Sequence, residues 1–417
     1  MKRRNFFKST VGFGALGMMP LNGCNPDASK NDCYFRLDTE LAKPVFKKML
    51  FPEPVVIESV ELLRYRDNFL CRVRSKEGAE GFSVSNNMQM ISLYPIQVNR
   101  VQPFFIGKDA RNLDQLIDDV YVYQSNYKLQ NLALWVPVAT IEFAILDLMG
   151  RLTGKPLGEL FGKVQNRQIA VYQANNYRGR TAAESIERIK QNVAETGAKA
   201  LKFKVGGRMR NNADDPPGRT EALIPLVRQT FGPEMTLYAD SNGSYTVDEA
   251  IRIGKILEKY QINFYEEPVP FDWYEETKAV ADALEIPIAG GEQEPSLRNF
   301  RWLIGNNALQ IVQPDVFYFG GMIRSTRVAR MAQATGLTCT PHISGSGLGY
   351  LYMLHFVSTL SNAGPYHEFK GFNTEIPFEC DSSALQSEGG VVTVPSGPGL
   401  GIKLDPDFVK KHRPIKV

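Results

Sequence analysis

The strongest constraint on this chain is a change of pattern at Gln168. From there short β-branched or aromatic runs, "QIAVYQANN", "KALKFKVGG", "MTLYADSNG", "INFYEEP", "IPIAGGE", "ALQIVQPD", "LTCTPHI" and "PYHEFKG", alternate with amphipathic stretches such as "TVDEAIRIGKILEKY". Strand–helix alternation enforces parallel pairing, because each helix carries the chain back to the start of the next strand. Eight such runs predict a closed (β/α)8-type barrel. An open doubly wound sheet is the runner-up, but no glycine-rich dinucleotide fingerprint follows any of the runs.

Upstream, "PVVIESVELLRYRDNFLCRVRSKEGAEGFSVS" alternates apolar and polar residues, with turn signals at Arg66-Asp67-Asn68 and Glu77-Gly78. That predicts a meander of about three strands. Helical periodicity from Leu113 to Leu152 completes an α+β domain. The expected organisation is an export segment and linker over 1–30, the α+β domain over 52–165, the barrel over 166–376, and a tail over 377–417. The tail contains "GGVVTVPSGPGLGIKL" and is expected to return to the first domain.

With 43% hydrophobic and 22% charged residues the chain can bury a large core. Its net charge of +3 excludes an electrostatic nucleic-acid or anionic-membrane partner. The N-terminus stands apart. "MKRRNFFKSTVGFGALGMMPLNGC" couples Lys2, Arg3 and Arg4 to an apolar run too short to span a bilayer, as an export signal does. "RRNFFK" resembles a twin-arginine signal, which predicts use of the export machinery and a periplasmic location. "LNGC" reads as a lipoprotein processing site, with Cys24 as a lipid anchor, or as the end of an ordinary signal. Cys33, Cys71, Cys339 and Cys380 have no CxxC spacing, so they are expected as buried free thiols.

In a parallel barrel the C-terminal strand ends meet at one face, where catalytic groups gather. The residues predicted there are Lys202, Lys204, Asp240, Asn242, Glu266, Glu292, Asp315, His342 and Glu368. Asp240, Glu266 and Glu292 recur at intervals of 26 residues, one per β/α unit. Neighbouring carboxylates repel unless a cation neutralises them, and oxygen-only ligation favours a hard ion, Mg2+ first and Mn2+ second. A helix-capping role explains any one acid alone; it does not explain three at even spacing. Lys202 and Lys204 alternate along one strand, so both should enter the barrel while Phe203 packs outward. Their mutual repulsion is expected to lower both pKa values and to make one a base. Asp315 and His342 fall on adjacent strands, as a carboxylate that orients an imidazole. His355 and His412 lack such a setting, and His367 should face away from Glu368.

Together "KFK", "ADSNG", "YEEP", "GGEQ", "QPD", "TPH" and "HEF", in that order, resemble the enolase superfamily, specifically its mandelate racemase / muconate lactonizing enzyme family, over residues 52 to 417. The resemblance implies a modified (β/α)7β TIM-type barrel under an α+β capping domain, in a homo-oligomer. It implies Asp240, Glu266 and Glu292 as metal ligands, Lys204 as base, and Lys202 as its carboxylate-polarising neighbour. It implies His342 with Asp315 as the opposite dyad, and Asn242 near the metal. Glu368 matches the acid that hydrogen-bonds the substrate carboxylate, and as a donor it should have a raised pKa. The implied chemistry is Mg2+-dependent removal of the proton α to a carboxylate through an enediolate. Dehydration of an acid sugar (aldonate or aldarate) to a 2-keto-3-deoxy acid is expected first. Racemisation or epimerisation and cycloisomerisation follow, and a non-catalytic exported sugar-acid binding protein is the alternative of another class.

Three further expectations concern the mouth. "GGRMRNNADDPPGRT" should overhang it, with Arg208 or Arg210 near an anionic substrate. "SVSNNMQMISLYP" is a lid candidate through Asn86 and Asn87. Of the pair in "YEEPVP", Glu266 should point inward and Glu267 outward or along the rim, because strand neighbours alternate.

Overall fold

The computed structural model describes residues 30–344, 347–370, 376–382 and 385–416. The export segment, with Arg3, Arg4 and Cys24, lies outside the described residues.

The chain opens with helix α1 (Lys30–Leu41). An antiparallel meander follows: β1 (Ile57–Tyr65), β2 (Asn68–Ser75) and β3 (Glu80–Val84). Helices α2 (Asn87–Ile96), α3 (Gln102–Phe105), α4 (Leu113–Val122) and α5 (Leu132–Thr153) complete the capping domain. The apolar α5 is long enough to cross a membrane, but 89% of its most apolar window is buried, because it lies under β2 and β3 as a core helix. Gly81 permits that approach, since a Cβ there would collide with the backbone of Leu148.

The barrel then runs β4 (Gln168–Ala174), α6 (Ala182–Thr196), β5 (Ala200–Lys204), α7 (Arg219–Phe231), β6 (Thr236–Asp240) and α8 (Val247–Lys259). It continues through β7 (Phe264–Glu266), α9 (Tyr274–Ala283), β8 (Ile288–Gly290), α10 (Leu297–Gly305), β9 (Ile311–Val312), α11 (Met322–Ala334), β10 (Thr338–Cys339), α12 (Gly349–Ser358) and β11 (His367–Phe369). Every pairing among these strands is parallel, in the order β10-β9-β8-β7-β6-β5-β4-β11. The ring closes just before β11, where Cys339 N–H donates to Asn362 O at 2.9 Å and Gly364 N–H donates to Cys339 O at 3.1 Å. Seven strand–helix units and a last strand make this a (β/α)7β barrel with an α+β cap, as the resemblance implies and one helix short of the (β/α)8 pattern that the alternation alone predicts.

Period-two alternation sorts the strand residues. Outward Leu201, Phe203, Leu237, Ala239 and Tyr265 pack against α6 to α10. Inward Tyr172, Tyr238 and Phe264 fill the barrel beneath the mouth, with Tyr238 stacked on Phe264 at 3.8 Å. Above this aromatic layer the register aligns Lys204 with Asp240 and Asp240 with Glu266. The tail forms β12 (Phe378–Cys380), β13 (Val391–Thr393), β14 (Ile402–Leu404), helix α13 (Pro406–Lys411) and β15 (Arg413–Pro414). Only β15 joins the capping sheet, beside β1; β13 runs antiparallel along barrel strand β4.

Two clasps bind the parts together. Glu142 of α5 accepts a hydrogen bond from Ile323 N–H at 2.9 Å, at the positive end of α11. Gly321 makes room for it, since a Cβ there would collide with the Glu142 carboxylate. Burial pushes the Glu142 carboxyl up to about 8. The second clasp is α1, which has no counterpart in the sequence reading. Arg301 of α10 donates to the Asp38 carboxylate at 2.6 and 2.7 Å and stacks over Tyr34 at 4.1 Å. Cys33 of α1 is disulfide-bonded, which corrects the free-thiol expectation there, while Cys71, Cys339 and Cys380 are free.

Candidate active site

Lys204, Asp240 and Glu266 end β5, β6 and β7, and Glu292 follows β8 by two residues. The ligand atoms of Asp240, Glu266 and Glu292 lie within 4.8 Å of one another, all buried. Glu292 Oε2 is buried without a hydrogen-bond partner. Carboxyl groups also outnumber ammonium groups around this triad. A compact all-oxygen set with surplus negative charge fits a hard divalent cation.

Lys202 is fully buried and its Nζ donates to both Glu266 oxygens at 2.8 Å. Asp240 lies 3.6 Å and Glu368 3.7 Å from the same ammonium group. Burial disfavours that charge, but Glu266, Glu368, Tyr172 and Asp240 outweigh it and hold Lys202 well above the usual lysine value. Lys–Lys repulsion therefore does not lower Lys202, contrary to expectation, because the acids stand closer. Lys204 Nζ pairs with Asp240 Oδ2. Asp240 is held well below the carboxylate range despite burial, chiefly by Lys204 and Lys202. Burial and the Asp240 charge push Glu266 up to about 7. Gln313 Nε2 donates to Glu266 at 3.0 Å.

An imidazole–carboxylate pair stands across the triad. Asp315 and His342 each lie three residues past the described strands β9 and β10. His342 Nδ1 is 2.7 Å from Asp315 Oδ2. Asp315 also accepts from Phe317 N–H at 2.8 Å, Tyr318 N–H at 2.9 Å, Ser344 N–H at 2.5 Å and Ser344 Oγ at 3.0 Å. So many donors make it an acceptor only, so Nδ1 carries the proton and Nε2 faces the mouth. Nε2 is 3.2 Å from Glu292 and 3.5 Å from Glu368. Burial opposes the imidazolium, but Glu292, Glu368 and the Asp315 hydrogen bond raise His342 to about 9.

Glu368, on β11, is buried and accepts from Ile343 N–H at 3.2 Å. Burial favours its neutral form, yet Lys202, Lys370 and His342 hold it well below the usual range. The expected raised pKa is thus reversed, because enclosure came with three cations. Lys370, two residues past Glu368 and 3.5 Å from it, escaped the sequence reading.

Glu267 also departs from expectation. It turns off the strand at φ 43°, is buried, and takes an Asn242 Nδ2 hydrogen bond at 3.4 Å, with Oε1 unpartnered. Burial and the charges of Glu292, Asp240 and Glu266 hold its carboxyl well above the ordinary value, so it faces the acids. Alternation ends where β7 ends, and so did the inference built on it. Asn242 N–H donates to Asp240 Oδ1 at 2.8 Å, and its Oδ1 accepts from Arg178 at 2.9 Å and Arg208 at 3.4 Å. Arg178 was not foreseen; it also donates to the carbonyls of Gly206 and Val205. Arg210 is exposed. Asn86 does reach the site, donating to Ser344 Oγ at 2.9 Å. Asn87 instead braces the β1–β2 turn through Phe69 N–H and Asn68. His355 and His412 bond backbone carbonyls elsewhere. Buried His367 has an unpartnered Nδ1.

Residues 184–408 match a family model described as Enolase C-terminal domain-like. Arabinonate dehydratase of Saccharolobus solfataricus is 24% identical over 342 residues, which cover 82% of this chain and 89% of that one. D-galactarolactone cycloisomerase of Agrobacterium fabrum is 27% identical over 323 residues, covering 74% and 82% respectively. A solved mandelate racemase/muconate lactonizing protein from Paracoccus denitrificans PD1222, complexed with magnesium, superposes with a TM-score of 0.79 at 25% identity. That likeness covers 87% of this chain and 100% of the other.

Proposed function

The chain belongs to the mandelate racemase/muconate lactonizing enzyme family of the enolase superfamily, and from that premise we propose that it dehydrates an acid sugar, an aldonate or aldarate, to the 2-keto-3-deoxy acid. The observation that carries the reading is the placement of two proton-transfer groups, Lys204 and His342, on opposite sides of the buried triad Asp240, Glu266 and Glu292. Mg2+ is the ion proposed for the triad, with Mn2+ second; when bound it would supply Lewis-acid stabilisation of a carboxylate that gains charge.

The chain's own groups divide the work. Lys204 takes the proton α to the carboxylate, and the C–H electron pair moves onto the carboxylate to give the enediolate. Lys202, held charged, donates to the oxygens on which that charge develops. His342 Nε2 gives a proton to the β-hydroxyl as it leaves as water, and the resulting enol tautomerises to the ketone. Glu368 does not donate in this scheme. As a carboxylate it keeps Lys202, Lys370 and His342 charged and oriented. Asn242 orients Asp240.

The named activity of the arabinonate dehydratase relative favours dehydration. The cycloisomerase relative supports a second reading, in which the same bases move a proton without loss of water; racemisation or epimerisation belongs to that reading. A pure binding protein has no use for paired bases around a buried acid triad. Proton NMR of a panel of aldonic and aldaric acids with Mg2+ in D2O distinguishes them. A 2-keto product is expected. Deuterium at C2 without loss of substrate would move the assignment to racemisation, and binding with no exchange by any acid would end the enzymatic reading.

We also propose a periplasmic location reached by twin-arginine export, and a homo-oligomeric state. The disulfide at Cys33 supports an oxidising compartment. Replacing Arg3 and Arg4 by lysine should leave the protein in the cytoplasm on fractionation; unchanged export would sink this route.

A further inference from the structure

Asp315 is the residue on which His342 depends, and it belongs to a loop rather than a strand. Something must hold that loop. Two contacts come from a single turn of the capping domain, the N-terminus of α2. Asn86 Nδ2 donates to Ser344 Oγ at 2.9 Å, and Ser344 Oγ donates to Asp315 Oδ1 at 3.0 Å. Gln89 Nε2 donates to the Tyr318 hydroxyl at 3.3 Å, and Tyr318 N–H donates to the same Asp315 oxygen at 2.9 Å. Asn86, Ser344 and Asp315 are 3%, 4% and 0% exposed, so water does not compete for these bonds.

From this geometry we infer that Asn86 is a positioning residue for the His342 base: the capping domain sets the imidazole through the relay Asn86–Ser344–Asp315. The inference rests on the proposed proton-transfer roles of Lys204 and His342. The reasoning is chemical. Asp315 is an acceptor surrounded by donors, and it holds one position only while each donor is held. Ser344 Oγ has one proton, which Asp315 takes, so Asn86 must be the donor to its lone pair. That fixes the hydroxyl rotor and leaves Asp315 Oδ2 for His342. Lys204 has no such link to the capping domain among the described residues; its partner Asp240 is on the adjacent strand.

Asn86 has a second duty, because its Oδ1 accepts from Gln89 N–H and caps α2. Asn86→Thr separates the two, keeping a good capping oxygen but falling short of Ser344. Ser344→Ala breaks the relay from the other side and leaves the cap alone. Two backgrounds are read: His342→Asn, where C2 exchange in D2O reports Lys204 alone, and the parent, where formation of the 2-keto acid also needs the proton from His342. Asn86→Thr and Ser344→Ala should each slow 2-keto acid formation in the parent about tenfold, and no further when combined, while C2 exchange in His342→Asn stays within about twofold. Equal losses in both backgrounds would mean a merely structural role and would overturn the inference. An independent readout needs no substrate. In 15N-histidine protein the Nδ1 proton of His342, bonded to Asp315, should shift or broaden in both variants. An unchanged resonance would overturn the relay, even if no acid in the panel turned over and the proposed function itself had failed.

Discussion

The two sides of the mouth are built differently. Lys202, Lys204, Asp240 and Glu266 sit on β5 to β7, and strand register alone places them side by side. Asp315 and His342 sit beyond β9 and β10, where register no longer acts, and are held by hydrogen bonds from their loops and from α2. The strand-borne side is as rigid as the barrel. The loop-borne side is as rigid as its donors, and some of those belong to another domain. Lys204 is thus fixed by the scaffold, whereas His342 is held in part by the cap.

The largest test of this contrast removes each base in turn. Lys204→Ala and His342→Asn should each lower turnover of the acid-sugar substrate by roughly 10²–10⁴-fold, the range for a general acid or base. The double variant should be little worse than either single one, because the two act in one reaction. Turnover intact in either variant removes that residue from the site. A smaller effect separates Glu266, the last residue on β7, from Glu267, the first residue off it. Mg2+ titration by calorimetry should show a loss of at least about 100-fold in affinity for Glu266→Gln and about tenfold for Glu267→Gln, the scale of an outer partner. Equal losses would mean that strand position does not divide their roles.

The smallest effect concerns the clasp from the cap to α11. The buried Glu142 carboxyl titrates near about 8 in the folded protein, above its unfolded value. Its proton therefore stabilises the fold in acid, and that contribution fades as pH rises through the folded value. Glu142→Gln cannot lose it. The Tm advantage of the variant over the parent should grow by a few degrees between about pH 6 and about pH 9. A difference independent of pH would place the charge elsewhere.

The sides also differ in how far they can be read from residues alone. On β5 to β7, period-two alternation sends Lys202 inward and Phe203 outward, and equal spacing aligns the acids, so pattern and structure agree. What patterns do not carry is distance between charges. Repulsion between Lys202 and Lys204 is a local argument, but Glu266, sixty-four residues away, decides the Lys202 pKa. Glu368 was misjudged likewise, since enclosure could be anticipated but Lys370 and His342 beside it could not. Glu267 was lost at one backbone angle. Ser344 and Arg178 carry no motif, and Gln313 sits in QPD without a role of its own there, because their roles arise only when distant parts of the chain meet. Asn86 and Asn87 look alike as letters, and only the cap at α2 separates the one facing Ser344 from the one bracing a turn.

The clasp of α1 on the barrel has a mechanical side. Tyr34 and Asp38 meet Arg301, and a Cβ at Gly305 would stand only 2.6 Å from the Tyr34 ring, so the helix is seated closely on α10. Tension entering from the N-terminus would reach that barrel wall before it reached any strand of the cap. Held by that end, the molecule would hang from its barrel, and the strands of the cap would lie outside the path of the pull.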